Sequence, residues 1–394
     1  MSTQDVLIVG VARTPMTSFV GAFKDVSATE LGAIASRGAL ARANVDPAWI
    51  DHAIFGNVQQ TSADAPYASR HIALKAGVPI ETPALTVNRL CGSGLQAVIN
   101  GAQLIRLGEA HITLTGGTEN MSQAPHVVRG ARAGLKLGQS KMEDSLWECL
   151  VDAYCGCPMG ITAENLAAQY GINRECQDMF ALRSQQLAAR AREAGRFVDE
   201  IVPVEIAGRK GPTVVSQDDS LRPETTMEAL TRLSPVFKKD GAVTAGNSSG
   251  IADGAAALVV ASEHAVLSRS LTPLGRLVDW AIVGVDPSYM GIGPAPATRR
   301  LLKRTGLALD DIDLIEVNEA FAGQYLAVEK ELGLNRDRVN VNGGAIALGH
   351  PLGMSGARIL LTLLLELLRR GLRRGLATAC IGGGQGIAAI VETV

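Results

Sequence analysis

Apolar residues fall at helical spacing directly after residue 94: Leu95, Val98, Ile99, Ala102 and Ile105 share one face. Just before them, Ala84-Leu85-Thr86-Val87 reads as a short buried strand, so the chain passes from strand to helix across Asn88–Gly94. A second stretch, 355–370, carries Ile359, Leu360, Leu361, Leu363, Leu364, Leu365, Leu367 and Leu368, apolar almost all round. A helix of that kind is buried on all sides, and a place between two sheets would bury it. Glu366 interrupts it and Arg369-Arg370 ends it, short of the roughly 20 mostly apolar residues of a membrane span. The segment from Gly94 to Leu107 is its counterpart earlier in the chain.

The pattern occurs twice. Trp49 to Asn57 parallels Asp311 to Asn318, Thr86-Val87-Asn88 parallels Asn340-Val341-Asn342, and Leu114-Thr115-Gly116-Gly117 parallels Cys380-Ile381-Gly382-Gly383. The three pairs keep one order at offsets of roughly 260 residues, too long a period for a solenoid. They predict two halves of one fold, each alternating strands with helices, hence a mostly parallel sheet covered by helices. Residues 121–243 have no counterpart. That stretch is rich in arginine, lysine and glycine, with turn signals at Gly208-Arg209-Lys210-Gly211-Pro212, and alone it reads as a solvated basic loop.

Chemistry gathers at the strand-to-helix turns. Cys91 lies in Asn88-Arg89-Leu90-Cys91-Gly92-Ser93-Gly94, where helix N-terminal N–H groups favour a thiolate. A lone cysteine there is either a nucleophile or core filler. His350 is held between Gly349 and Pro351 at the end of a glycine-dense run that starts at Asn340. Cys380 ends the strand-like run Leu376-Ala377-Thr378-Ala379, ahead of Gly382-Gly383-Gly384, whose N–H groups suit an oxyanion. Each glycine-rich turn can be merely a turn. Together they hold a nucleophile, a base and an oxyanion trap, the parts for acyl transfer through a thioester.

These motifs resemble the thiolase family. The resemblance rests on Cys91 in its N-x-x-C-x-S-G setting, on Asn318-Glu319-Ala320-Phe321, on Asn340 to Gly353 with His350, and on Cys380 with its glycine-rich tail. It runs end to end, in the family order, and within the family is nearest in look to 3-ketoacyl-CoA thiolases of the mitochondrial type. It implies an α/β fold of two βαβαβαββ halves packed as a five-layer α-β-α-β-α sandwich. The first half would comprise residues 1–120 plus 244–270 and the second 271–394. Residues 121–243 would be a loop domain covering the active site and coenzyme A.

The resemblance also implies roles. Cys91 would carry the acyl group, and His350 would take its proton and bind the thioester oxygen. Asn318 would hold a water that completes that oxyanion site. Cys380 would be the acid/base at the carbon being joined or cleaved, with the N–H groups of Cys91 and Gly382 forming a second oxyanion site. Ser249 would lie along the pantetheine arm, Arg222 near the adenine nucleotide, and Met159 and Phe321 against the substrate. A plain turn, a solvated charge or core filler are the alternatives for Ser249, Arg222 and Met159. Family members restricted to acetoacetyl-CoA commonly have a histidine before the Met-Gly pair. Pro158 stands there in this chain, which favours longer or more varied acyl chains.

The implied activity is reversible cleavage of 3-ketoacyl-CoA by coenzyme A, or in the alternative a short-chain acetyltransferase making acetoacetyl-CoA. A decarboxylating synthase on the same fold needs a Cys-His-His set, and Cys380 stands where its second histidine would be. A non-catalytic acyl-CoA-binding relative would not need all four motif residues. No cofactor is expected beyond coenzyme A as a substrate, and no metal, since the six cysteines show no C-x-x-C pair. A net charge of −2 argues against a nucleic-acid or membrane partner. Working thiols and no visible signal or transit sequence predict a cytoplasmic protein. The stretch from His126 to Lys141 falls where family members make tetramer contacts, so a homotetramer, a dimer of dimers, is expected.

Overall fold

The computed structural model describes residues 5–138, 141–208 and 211–394. Residues 1–4 of the chain start, 139 and 140 of the 126–141 stretch, and Arg209 and Lys210 of the expected turn lie outside the described residues.

The first half runs through strand Val6–Arg13, helix Ala28–Ala43, strand His52–Gly56, helix Ala68–Lys75, strand Ala84–Val87 and helix Ser93–Leu107. It closes with strands Ile112–Glu119 and Ala252–Ser262. The segment between those last two strands is the unrepeated stretch. The second half repeats the order: strand Gly275–Gly284, helix Pro294–Thr305, strand Leu314–Val317, helix Ala322–Leu332, a single bridge at Val339, helix Leu352–Arg370, then strands Arg374–Ile381 and Gln385–Thr393.

Pairing is mixed rather than mostly parallel. In each half the outer strands pair in parallel, while the last two strands and the first pair antiparallel. The second half ends in two strands with no crossover helix between them, whereas in the first half the whole unrepeated stretch lies between the antiparallel last two strands. Ile381 and Gln385 are joined by a three-glycine turn, and so short a link only permits antiparallel neighbours. The half-sheets touch edge to edge through Leu7–Arg276 and Ile8–Gly275, which makes one ten-stranded ladder.

Strand alternation sorts the cores into layers. Leu7 and Val9 face the Ala28–Ala43 helix in one core, while Val6 and Ile8 face the central helices in another. On the second half-sheet, Ala377, Ala389 and Val391 face those same central helices, and Leu376, Ala388 and Ile390 face Ala322–Leu332. The result is helix, sheet, helix pair, sheet, helix. The two central helices are Ser93–Leu107 and Leu352–Arg370, the pair that the apolar pattern singled out.

Their N-terminal turns meet through glycine. A β-carbon on Gly94 would stand 2.7 Å from the Ala357 nitrogen, and one on Gly356 would stand 2.5 Å from that of Leu95. That close approach brings the turns carrying Cys91 and His350 together. Inside the second helix Glu366 is buried but paired with Arg369, Arg370 and Asn342, while Arg358 pairs with Glu316. Among the described residues no helix is long and apolar enough to cross a membrane.

Candidate active site

Cys91 sits in a 3-10 turn, Leu90–Gly92, immediately before the first central helix. Leu90 is held at φ 45°, a left-handed conformation costly for a branched side chain. The flanking motif residues hold it there. The Asn88 side chain accepts the Leu90 N–H at 3.0 Å and donates to the Val58 carbonyl at 3.1 Å. The Ser93 hydroxyl donates to the Leu90 carbonyl at 2.7 Å and accepts the Arg89 N–H at 2.8 Å. Gly92 admits Ile381, whose terminal carbon would lie 2.6 Å from an added β-carbon. The Asn, Ser and Gly of the motif thus fix the backbone strain that presents the thiol.

His350 precedes the second central helix, its N–H bonded to the Gly250 carbonyl at 2.9 Å. Its Nδ1 lies 2.6 Å from the Ser355 hydroxyl, which donates its only proton to the Pro351 carbonyl at 2.8 Å. Nδ1 must therefore carry the ring proton, and Nε2 presents a lone pair. The Asn318 amide nitrogen lies 3.3 Å from Nε2, and the Asn318 carbonyl oxygen is buried without a protein partner.

Cys91, His350, Gly382, Ser249, Met159 and Phe321 all line one cavity of about 240 Å³. Its wall is mainly apolar, with Trp147, Leu150, Phe237 and Ile251 completing it. Cys380 is fully buried beneath Met290 and Ala320, against Met159 and Phe321. The N–H groups of Gly382 and of Cys91 itself both act on the Cys91 sulfur. Ser249 donates its hydroxyl to the Ala320 carbonyl at 3.0 Å. Arg222 is not in this cavity. It is exposed and lines a neighbouring one of about 690 Å³ that shares Ser248, Gly250 and Ile251 as a common wall. Pro158 is half-buried at the N-cap of the Met159–Tyr170 helix and is not among the lining residues.

The architecture and these turns have close relatives. The thiolase N-terminal domain model matches residues 6–264 and the thiolase C-terminal domain model matches residues 271–393. The chain belongs to the thiolase family. Human mitochondrial 3-ketoacyl-CoA thiolase is 54% identical over 389 residues, 98% of each chain. A Pseudomonas aeruginosa acetyl-CoA acetyltransferase is 52% identical over 387 residues, again 98% of each. The crystal structure of the human enzyme superposes with a TM-score of 0.98 at 53% identity, covering 100% of both chains. Its complex with CoA gives a TM-score of 0.97 at 53% identity, covering 100% of this chain and 98% of that one.

Electrostatics in this thiolase set burial against the helix-end effect that the sequence suggests. Burial pushes the Cys91 thiol up to about 12, and the N–H groups of Gly382 and Cys91 offset only part of that. Burial, then the Arg358 charge, lowers the His350 imidazole to about 4. Burial, then proximity to Cys91, raises Cys380 as well. These shifts favour two thiols and a neutral imidazole at rest over a thiolate beside an imidazolium, with Cys91 half-buried at the cavity wall. Loss of water around the sulfur outweighs the dipole of the helix end. Since alkylation proceeds through the thiolate, the iodoacetamide rate at Cys91 is expected to climb about tenfold per pH unit between roughly pH 6.5 and 9.5. A rate already level at neutral pH, followed by intact mass, would mean a standing thiolate instead.

The sequence missed Ser355, whose signal is only its place one helical turn past Pro351. It also missed Trp147, Leu150 and Phe237, which come from the unrepeated stretch, where no periodicity marks a lining residue.

Proposed function

We propose that the chain cleaves 3-ketoacyl-CoA with coenzyme A, reversibly, to acetyl-CoA and a shortened acyl-CoA through an acyl-enzyme on Cys91. The observation that carries this reading is the convergence of Cys91, His350 and Gly382 on one cavity with Cys380 directly behind it. The neutral resting site is the right starting state for cleavage. The Cys91 proton goes to His350 Nε2 as the sulfur attacks the 3-keto carbon, leaving an alkoxide. The C2–C3 bond then breaks, its electron pair stays on C2, and Cys380 gives that carbon its proton. Acetyl-CoA leaves, and the shortened acyl group remains on Cys91 as a thioester. Coenzyme A next gives its thiol proton to the Cys380 thiolate and attacks the thioester carbonyl. Cys91 departs, recovering its proton from His350. Condensation is the same sequence reversed.

Asn318 supports an oxyanion site beside His350 Nε2: its amide nitrogen is in reach and its unpartnered carbonyl oxygen fits a bound water. The N–H groups of Cys91 and Gly382 suit the acyl-enzyme oxygen, since they already converge on the sulfur. Met159 and Phe321 contact the acyl portion in this reading, and the 248–251 turn, with Ser249, carries the pantetheine arm. The arm then leads into the adjoining cavity, where Arg222 meets the nucleotide end. No cofactor enters these steps.

We retain the division into halves 1–120 with 244–270 and 271–394, with 121–243 covering the site. A homotetramer is supported by exposed apolar side chains at Val128, Leu135, Leu137 and Met142 in or beside the 126–141 stretch. Six unpaired cysteines suit a reducing compartment, for which we propose the cytoplasm, although the human relative is named mitochondrial. We place the enzyme in fatty-acid β-oxidation.

The test is coenzyme A-dependent cleavage of 3-ketoacyl-CoAs of increasing chain length. A flat or rising profile of kcat/KM is expected from the apolar cavity. Activity confined to acetoacetyl-CoA would favour the second reading, a short-chain acetyltransferase, to which the Pseudomonas relative's name points. Inactivity on every length would revive a non-catalytic role.

A further inference from the structure

Glu119 ends the last strand before the unrepeated stretch and is fully buried, yet no step above uses it. Its carboxylate accepts four hydrogen bonds from two directions. Oε1 takes the Asn57 amide at 3.1 Å and the Gln59 N–H at 3.0 Å, while Oε2 takes the Val58 N–H at 3.1 Å and the Gly353 N–H at 2.8 Å. All four partners are donors.

Three of the four partners lead to the site. Gly353 belongs to the first turn of the helix that follows His350, so Glu119 anchors that helix N-terminus. Val58 gives its N–H to Glu119 and its carbonyl to Asn88, whose side-chain oxygen holds the strained Leu90 N–H beside Cys91. Gln59 gives its N–H to Glu119, and its side chain reaches the Ser145 carbonyl at 3.2 Å, at the start of the short helix Ser145–Cys149 that carries Trp147 into the cavity wall. The room for this junction is tight: a β-carbon on Gly353 would lie 2.5 Å from the Thr118 carbonyl and 2.9 Å from Glu119 Oε2.

We propose that Glu119 is a positioning residue that sets the Cys91 turn and the His350 turn in register, tying the two halves of the active site through one buried carboxylate. The inference rests on the roles of Cys91 and His350 given above. Burial pushes the Glu119 carboxyl up to about 7. Four donors, however, leave no acceptor for a carboxyl proton, so the cage fits the ionised form. Glutamine is the informative replacement. Either orientation of its amide would set an NH2 group against two N–H donors, breaking two of the four contacts without changing volume.

The experiment compares wild type, Glu119→Gln, Asn88→Ala and the double variant in steady-state thiolysis, with thermal midpoints recorded alongside. Glu119→Gln is expected to lower kcat on the order of a hundredfold, the scale for a displacement of about 1 Å at reacting groups, with KM for coenzyme A changed less than about threefold. Asn88→Ala cuts the same chain nearer the nucleophile, so the double variant is expected to lose little more than Glu119→Gln alone. A Glu119→Gln enzyme within about threefold of wild-type kcat, a loss confined to KM, or strictly additive losses would each overturn the proposal. Should Glu119→Gln fail to fold, Asn88→Ala decides: a kcat loss of at least about tenfold at unchanged KM supports the relay, and full kcat refutes it. If wild type itself shows no thiolysis, the functional reading has failed separately. The relay is then read from iodoacetamide labelling of Cys91 in Glu119→Gln, where a rate within about twofold of wild type refutes it and a larger change supports it.

Discussion

Replacing Cys91 with alanine is expected to abolish acyl-enzyme formation and to lower thiolysis and condensation alike by about ten-thousandfold or more. The size follows from the division of labour in the cavity. His350 Nε2 has no proton to take without the thiol, and the N–H groups of Cys91 and Gly382 have no sulfur or thioester to converge on. In the proposed mechanism these groups act as a unit, so losing the nucleophile removes nearly the whole chemical advantage. The fold should tolerate the change, because the Cys91 sulfur only accepts from the Gly382 and Cys91 N–H groups and does not hold the turn's shape. That shape comes from Asn88 and Ser93. Incubation with acyl-CoA followed by intact-mass analysis checks it. An acyl adduct on the alanine variant, or residual turnover within about a hundredfold of wild type, would remove Cys91 from the mechanism.

Much of this was legible because the sequence repeats. Two apolar runs of helical spacing, each behind a glycine-rich turn, gave the central helices, and the matching order of landmarks gave two halves of alternating strands and helices. Strand direction was not legible in the same way. Alternation of strands and helices favours parallel pairing. The two strands closing the second half break that rule because no helix lies between them, those closing the first are separated by the whole unrepeated stretch, and Gly382 to Gly384 reads equally well as an oxyanion loop or a hairpin turn. In the structure it is a hairpin turn, with Gly383 and Gly384 at positive φ and the Gly382 N–H reaching the Cys91 sulfur.

The site divides along a similar line. Cys91, His350 and Cys380 were visible because each sits beside glycines at an element boundary, a local signal. The pull of burial on the Cys91 thiol was not, because the sequence shows the helix end but not how much water the surrounding residues remove from the sulfur. Arg222 was assigned a role in coenzyme A binding on position alone, and it stands in a separate cavity joined to the first only through the 248–251 turn. Glu119 left no signal and Ser355 only its place one turn past Pro351, since their partners lie far off in the chain or within a turn of helix.

Changing Cys380 to serine is expected to separate the two halves of the reaction. Some acyl-enzyme should still form from acetyl-CoA on Cys91, because Cys91, His350 and the oxyanion N–H groups remain and the coenzyme A thiolate can depart, more slowly, without a proton from Cys380. Carbon–carbon cleavage and condensation should fall by about a hundredfold to ten-thousandfold, the usual worth of a positioned acid or base. The raised proton affinity of Cys380 keeps it as a thiol at rest, as the protonation of C2 requires. A serine hydroxyl holds its proton far more tightly still and cannot return a usable base for the coenzyme A thiol. Its oxygen also gains no obvious partner beneath Met290 and Ala320, at a cost of about 1–3 kcal/mol in stability. Melting curves must therefore accompany the assay, so that the loss is read on folded protein. The distinguishing measurement sets adduct formation from acetyl-CoA beside the rate of condensation on one preparation. A variant that condenses at the wild-type rate would mean that another group moves the proton at C2. Equal collapse of both steps in folded protein would mean that Cys380 serves the nucleophile rather than the carbon.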